Sequence, residues 1–348
     1  MKPPIQELGA FALLIGDRKD EQIRRDRELD MTERKPLLDY DKQIKKLKNM
    51  GVSFNIINEV KAKEILCMNT YFFKLAYYRK NFYKYEDGYR IEFAYLSDLA
   101  NTDMRFRYTL LHMTLDIEHA IKCLVMRLIT ENEEEDGYSV INDFLSIDRS
   151  KYKEIDNTNQ PLTLEEIKTE NKNHLFKHLK KNNDYPSNIQ KYIDDPPIWF
   201  CIEIMQLGQL TSFVEFYFNR VNDEELKLPS KLMRLMKNIR NRCAHNQAIL
   251  INLDKDDNTR TPKELMSMTS KYKLPNRVYK IRTFIDILAT FELHSLLCSD
   301  GIRKGRKPLI LDMQQRYKQN FDYYCKTPHI QRFFKALDKI IDNYDIKL

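Results

Sequence analysis

Apolar residues recur at steps of three and four over most of this chain, the period of helices that bury one face. Ile44, Leu47 and Met50 form the first such stripe, which opens near Asp39 and stops at Gly51. A second helix is predicted from Ile56 to Cys67, and Tyr89 to Phe93 reads as a short strand or a turn. The longest unbroken signal of the first half runs from Asp103 to Thr130, with Phe106, Leu110, Met113, Ile117, Ile121, Leu124 and Leu128 on one stripe. From Ile198 to Val221 large apolar side chains are so dense that one helix buried on most sides is expected. Pro229 and Ser230 mark the next start, with Ser230 as N-cap. Leu232, Leu235, Met236, Ile239 and Cys243 then make a single buried face. Helices over Val278 to Cys298 and Gln331 to Asn343 follow, the last amphipathic through Phe334, Leu337 and Ile341. No unit of 20 to 50 residues repeats, which argues against a solenoid.

Between these signals the chain divides into five stretches. Residues 1–34 read as an N-terminal appendage with a marginal helix over Asp17 to Asp30, and residues 35–130 as a first helical part. Residues 131–195 are a polar insertion with helical fragments at Leu162 to Lys168 and His174 to Lys181. Residues 196–300 form a helical core, and residues 301–348 a basic helical extension. Only eight glycines and twelve prolines punctuate 348 residues, too few for the many turns of a β-sandwich or barrel, so the predicted fold class is all-α.

Charge changes the picture modestly. The formal net charge is +7, and from Gly301 onward eleven Lys and Arg face five Asp and Glu, whereas Glu131 to Asp136 is acidic. Polyanions are the favoured partners, at the first of these surfaces rather than the second. Six cysteines without a CxxC pair, mostly among apolar neighbours, fit buried reduced thiols. The apolar run Ala10 to Ile15 is short, follows Glu7 and lacks a cleavage site, so it does not read as a signal peptide. No stretch approaches the roughly 18 apolar residues of a membrane span. A cytoplasmic protein with no membrane partner is expected.

The chemistry concentrates in Ile239-Arg240-Asn241-Arg242-Cys243-Ala244-His245-Asn246. With Ile239 and Cys243 turned inward, Asn241 and His245 lie four residues apart on one helix face. Arg240 stands about 140° away from His245 on an ideal helix, so it joins them through its long side chain or from a second copy of the chain. Such a set suits cleavage of RNA by its own 2′-hydroxyl. Histidine as a residue type takes or gives a proton near neutrality, and a guanidinium offers fixed donors to phosphate oxygens, with no metal or other cofactor required. In this reading Arg240, Asn241 and His245 are catalytic, Asn241 orienting His245 or holding the ribose, and a homodimer supplies one histidine as base and another as acid. A bare Arg-to-His spacing is weak evidence, since Arg107 and His112 satisfy it too, and a polar helix face is the bland alternative.

The Arg-Asn-Arg-Cys-Ala-His stretch resembles the signature of HEPN ribonucleases, whose site is an Arg, a polar residue and a His, usually completed across a dimer. The rest resembles the Abi-like abortive-infection family of AbiD and AbiF type, related in its active helix to the type VI CRISPR effector nucleases. Gln43, Ile44, Leu47 and Gly51 look like the opening block, and Asn69-Thr70-Tyr71-Phe72 with Tyr78 and Phe82 like the Asn-Tyr-Tyr block. Asp103, Phe106, Arg107, Ile117 and Glu118 resemble the Asp-x-x-Leu-Arg and Ile-Glu helix. Pro197, Trp199, Glu203, Gly208 and Leu210 resemble the Pro-x-Trp and Phe-Gly-x-Leu block. The likeness covers about residues 36–250, broken by the insertion, and departs at Leu207 for Phe and Lys122 near a usual Arg. It implies a HEPN-like bundle and a toxin-like antiphage endoribonuclease restrained until infection, in some members with a small noncoding RNA. The alternative is a noncatalytic module that holds a structured RNA.

Other residues stay open between two readings. In the aromatic-basic block from Tyr71 to Lys84, rings and cations such as Lys74, Tyr78 and Arg79 stack bases and meet phosphates, or else form a core face and its solvated rim. Arg107, Arg242 and Asn246 are further candidates for RNA contact, though Arg107 with Glu118 also reads as an internal ion pair. Glu203, in a buried helix, needs a partner, and Arg240 or His245 would serve. His174 and His178 have helical i, i+4 spacing but no third ligand nearby, so no metal site is assigned. Arg303, Lys304, Arg306 and Lys307 read as an RNA-contacting arm or a solvated loop.

Overall fold

The computed structural model describes residues 35–147, 162–177, 179, 189–255 and 260–344. The appendage, its Asp17 to Asp30 segment and His178 lie outside the described residues.

The described chain is all-α with two minimal sheets. Helix α1 (Tyr40–Asn49) starts on the Asp39 side chain, which accepts from the Lys42 N–H. It ends before Gly51, whose φ of +85° and close approach to the Tyr89 carbonyl exclude a β-carbon. Strand β1 (Val52–Ser53), α2 (Glu59–Met68), α3 (Phe72–Tyr77) and a 3-10 turn over Tyr78–Asn81 follow. Strands β2 (Lys84–Tyr85) and β3 (Gly88–Tyr89) form an antiparallel hairpin, and β4 (Ile91–Glu92) pairs in parallel with β1.

Helix α4 (Phe93–Glu131) then runs 39 residues, about 58 Å at the α-helical rise, and begins ten residues before the predicted start at Asp103. Short helices α5 (Ser139–Leu145), α6 (Leu164–Phe176) and α7 (Gln190–Asp194) occupy the polar insertion. The two fragments expected there are, over its described part, one helix, opened by a capping box between Thr163 and Glu166.

Two boundaries differ from expectation for local reasons. The single helix expected over Ile198 to Val221 is broken into α8 (Ile198–Ile204) and α9 (Leu207–Val221). Met205 and Gln206 adopt extended backbone there, and Gln206 with Gln209 makes a capping box that restarts the helix. The break leaves Trp199 half exposed and Glu203 exposed, so Glu203 needs no buried partner. Helix α10 (Glu224–Ala244) begins five residues before Pro229, on the Asp223 side chain, directly after Asn222 ends α9 in the left-handed region. Pro229 is tolerated because the bond it forfeits is to the carbonyl of Glu225, in the exposed first turn.

Beyond α10 come α11 (Lys263–Thr269), α12 (Arg282–Leu297), α13 (Asp300–Gln319) and α14 (Pro328–Asn343). Helix α12 is buried from Thr283 to His294 and is packed by α4, α10 and α14, while α13 lies along α4 and α9 along α10. Its carboxylates are partnered: Glu292 accepts from the Tyr272 hydroxyl at 2.6 Å, and Asp286 lies 3.2 Å from Arg282 Nε. The basic cluster at residues 303–307 lies within helix α13, packed along α4, and is neither a loop nor a free arm. Arg306 is bound to Asp116 of α4 at 2.5 Å and Arg303 is largely buried beside Asp300, while Lys304 and Lys307 are exposed.

Helices α4 and α10 are antiparallel. Arg127 meets Glu225 at 2.7 Å near one end, Glu118 meets Arg240 at 3.9 Å further along, and Asp103 holds the chain just past α10 at the other end. Among the described residues no helix is long and apolar enough to cross a membrane. Three of the six cysteines, Cys201, Cys243 and Cys298, are buried, and the other three are exposed, where burial of most was expected.

Candidate active site

The polar end of α10 owes its position to the cap that stops it. His245 is the C-cap, and Asn246 follows in the left-handed region at φ +53°. The Gln247 N–H donates to the Arg242 carbonyl at 2.8 Å and the Asn246 N–H to the Cys243 carbonyl at 3.0 Å, which is the Schellman pair of bonds. Asparagine takes the place of the usual glycine because its short polar side chain tolerates that conformation. His245 thus projects from fixed backbone.

Below the cap, Ile239 and Cys243 are buried, and burial pushes the Cys243 thiol up to about 12, which leaves it protonated and inert. Arg240 is half-buried. Its Nη1 donates to Asn241 Oδ1 at 3.3 Å, and its Nη2 lies 3.9 Å from Glu118 Oε2, near enough for charge attraction but too far for a hydrogen bond. Arg240 Nε and Glu118 Oε2 are buried without hydrogen-bond partners. Asn241 and His245 are exposed, one helical turn apart, and among the described residues the His245 imidazole makes no side-chain hydrogen bond. The side chain of Arg240 reaches the Asn241 face within one chain, so Asn241 holds the guanidinium rather than the imidazole.

The loop after the cap is held by four side chains from four elements. Asp103 Oδ1, in the N-terminal third of α4, accepts from the Ile249 and Leu250 N–H groups at 2.7 and 2.6 Å. Asn81 donates to the Leu250 carbonyl at 2.8 Å and accepts from the Leu253 N–H at 3.0 Å. Arg242 donates to the carbonyls of Ala248 and Ile249 at 2.7 and 3.2 Å and to Thr283 Oγ1 at 2.9 Å. Lys74 of α3 donates to the Asn246 carbonyl at 2.9 Å, and desolvation together with the neighbouring Arg107 lowers its ammonium to about 8.

These contacts sort the residues expected to meet RNA. Lys74 and Asn246 lie together beside His245. Arg242 closes the loop instead, its donors turned to protein oxygens. Tyr78 is fully buried in the core and cannot stack on a base, and burial raises its phenol. Arg79 is turned to the Ala76 carbonyl and lies over the Tyr89 ring. Arg107 is buried in an ion pair with Asp103, not with Glu118, which removes the pairing of Arg107 with His112 as a second site. Glu118, not Glu203, faces Arg240. His174 lies against Gln209, whose Nε2 donates to its carbonyl at 3.0 Å.

Glu118 as the carboxylate facing Arg240, and Asn81 as a loop clamp, were missed from sequence. The i, i+4 spacing of Asp103 and Arg107 was a local signal for their pair. Nothing local marks Asn81, which acts across 169 and 172 residues of chain.

What the fold and site define is an all-α protein that presents an arginine, an asparagine and a histidine at one rigid helix end, clamped by a buried Asp-Arg pair. A family model described as Abi-like protein matches residues 64–251, more than half of the chain, and the chain belongs to that family. Membership implies a role in abortive-infection defence. The matched region runs from α2 to the pinned loop and so contains Arg240, Asn241 and His245 with Glu118, Asp103, Asn81 and Lys74. No curated protein and no solved structure matches the chain.

Proposed function

We propose that this chain is an abortive-infection ribonuclease of HEPN type, with Arg240 and His245 acting on a phosphodiester of RNA. The observation that carries the reading is the state of Arg240. Its guanidinium is half-buried, held loosely at 3.9 Å from Glu118 and with Nε unpartnered, beside exposed Asn241 and His245. Arg242, two residues on, instead turns both of its Nη groups to protein oxygens.

The chemistry is internal transesterification. A base removes the proton of the ribose 2′-hydroxyl, the 2′-oxygen attacks phosphorus, and the P–O5′ bond breaks to leave a 2′,3′-cyclic phosphate. An acid returns a proton to the departing O5′. His245 supplies one of these groups, and His245 of a second copy supplies the other in a homodimer. Arg240 binds the nonbridging oxygens as charge builds on them, with Asn241 fixing its plane. A small noncoding RNA seated on the same helix end would restrain the enzyme.

The test is incubation of purified protein with end-labelled RNA in EDTA. Expected products carry cyclic-phosphate ends, and His245→Ala and Arg240→Ala each reduce cleavage at least about a hundredfold, the scale of a lost acid, base or charge stabiliser. The free imidazole of His245, which has no orienting partner among the described residues, favours a second reading, a module that holds a structured RNA without cutting it. Tight binding of intact RNA by the wild type selects that reading.

A further inference from the structure

Two cavities open side by side next to the His245 cap and share Tyr71 and Lys74. One, of about 230 Å³, is lined by Asn69, Asn101, Arg107 and Asn246 as well as those two. The other, of about 470 Å³, is lined by Phe73, Tyr77, Gln247 and Ile251 with them. The two halves differ in chemistry.

The smaller cavity has an excess of positive charge. Arg107 is only 5% exposed at its side chain and its Nε has no hydrogen-bond partner. Its one carboxylate, Asp103, already accepts two backbone N–H groups of the loop. Lys74 adds a second cation, bonded to Asn246 through a neutral carbonyl and amide oxygen rather than an anion. Two cations against one shared carboxylate in a partly enclosed space is a costly arrangement unless an anion completes it. The larger cavity is walled by aromatic rings held out toward solvent: Phe73 is 72% and Tyr71 57% exposed, and Phe73 is stacked on Tyr77 at 5.9 Å with the planes 28° apart.

We propose that the joined cavities are a nucleotide subsite of the RNA strand next to the bond that is cut, with a phosphate between Lys74 and Arg107 and its base on Tyr71 and Phe73. Spacing supports the assignment. Lys74 lines both halves, so a phosphate bound on it stands one ribose away from a base in the ring-walled half, and it is bonded to the residue that follows His245. Stacking on rings with a cation at the backbone is how single strands are held with little regard to sequence. The proposal rests on the ribonuclease reading for the identity of the strand as RNA.

The experiment measures binding of a fluorescein-labelled single-stranded 12-nucleotide RNA to the His245→Ala chain by anisotropy, across salt concentrations. Adding Lys74→Gln, which retains a donor for the Asn246 carbonyl, is expected to weaken binding about tenfold and to flatten the plot of log affinity against log salt by about 0.7, one single-strand phosphate. Adding Tyr71→Ala with Phe73→Ala is expected to weaken it at least about fivefold, the low end for one stacked base, with the salt slope unchanged. Circular dichroism melts are expected to show both variants folded, since Lys74 is half-buried and Tyr71 and Phe73 are exposed. Affinities within twofold of the His245→Ala parent, or no measurable binding by that parent, overturn the proposal. Cleavage by the wild type with no effect of these variants sinks the subsite alone. Intact RNA with the expected losses sinks the ribonuclease reading and leaves the subsite standing.

Discussion

At Asn246 a single dihedral angle decides where a helix stops. Its φ of +53° lies in the region that costs an ordinary L-residue about 1 kcal/mol or more, and only glycine or a short polar side chain enters it cheaply. Asn246→Gly is expected to hold stability within about 0.5 kcal/mol, and Asn246→Ala to lose about 1 kcal/mol, as read from urea melts by linear extrapolation. Equal losses for the two would mean that the side-chain contact with Lys74, at 3.2 Å, matters more than the backbone conformation. At this same scale the sequence was most informative and most deceptive. Arg240, Asn241 and His245 stood out by type and spacing. Tyr78 had the type expected of an RNA contact, yet the packing around it leaves it fully buried.

Between elements, Asp103, paired with Arg107 on the same helix, ties α4 to the loop that follows the site. Both carboxylate oxygens are engaged, one holding the Ile249 and Leu250 N–H groups and the other facing the guanidinium. Asp103→Ala would leave Arg107 charged and uncompensated inside the protein, together with two buried N–H groups. A destabilisation of about 3–5 kcal/mol is expected, seen as a lower denaturation midpoint. A loss below about 1 kcal/mol would show that water replaces the carboxylate. Helix boundaries were legible where a cap is local, as at Asp39. They were not legible where a break needs a less usual device, such as the Gln206 and Gln209 box that splits the expected helix at residue 205. Glutamine is a rare N-cap, and the apolar run on both sides of it masks the interruption.

Across the whole molecule, burying charge on α12 makes stability depend on pH. Asp286 is held up to about 6 by burial, against the pull of Arg282 and Arg242 and a hydrogen bond from Asn238. The folded protein therefore binds that proton more tightly than the unfolded chain, whose ordinary value is 3.8. The contribution is fully present below the unfolded value and is lost as pH rises through about 6. Asp286→Asn has no such proton to lose, so its melting temperature is expected to gain on the wild type between pH 4 and pH 7. A difference that stays constant or moves the other way would show that the arginines outweigh desolvation.

From the sequence alone came the helical period, most helix positions, the all-α class and the stretch that carries the chemistry. Each of these depends on residues within one or two turns of each other, whose interactions the chain order specifies. Which carboxylate faces Arg240, which cations are spent inside the protein, and which aromatic rings stay in solvent were decided only by tertiary structure. Those outcomes depend on groups far apart in the chain, as Asp103, Asn81 and Lys74 are from the loop they hold, at separations of 146 to 172 residues. A charge or a ring carries no local mark of its partner, because its energy is set by the dielectric and the neighbours that folding assembles.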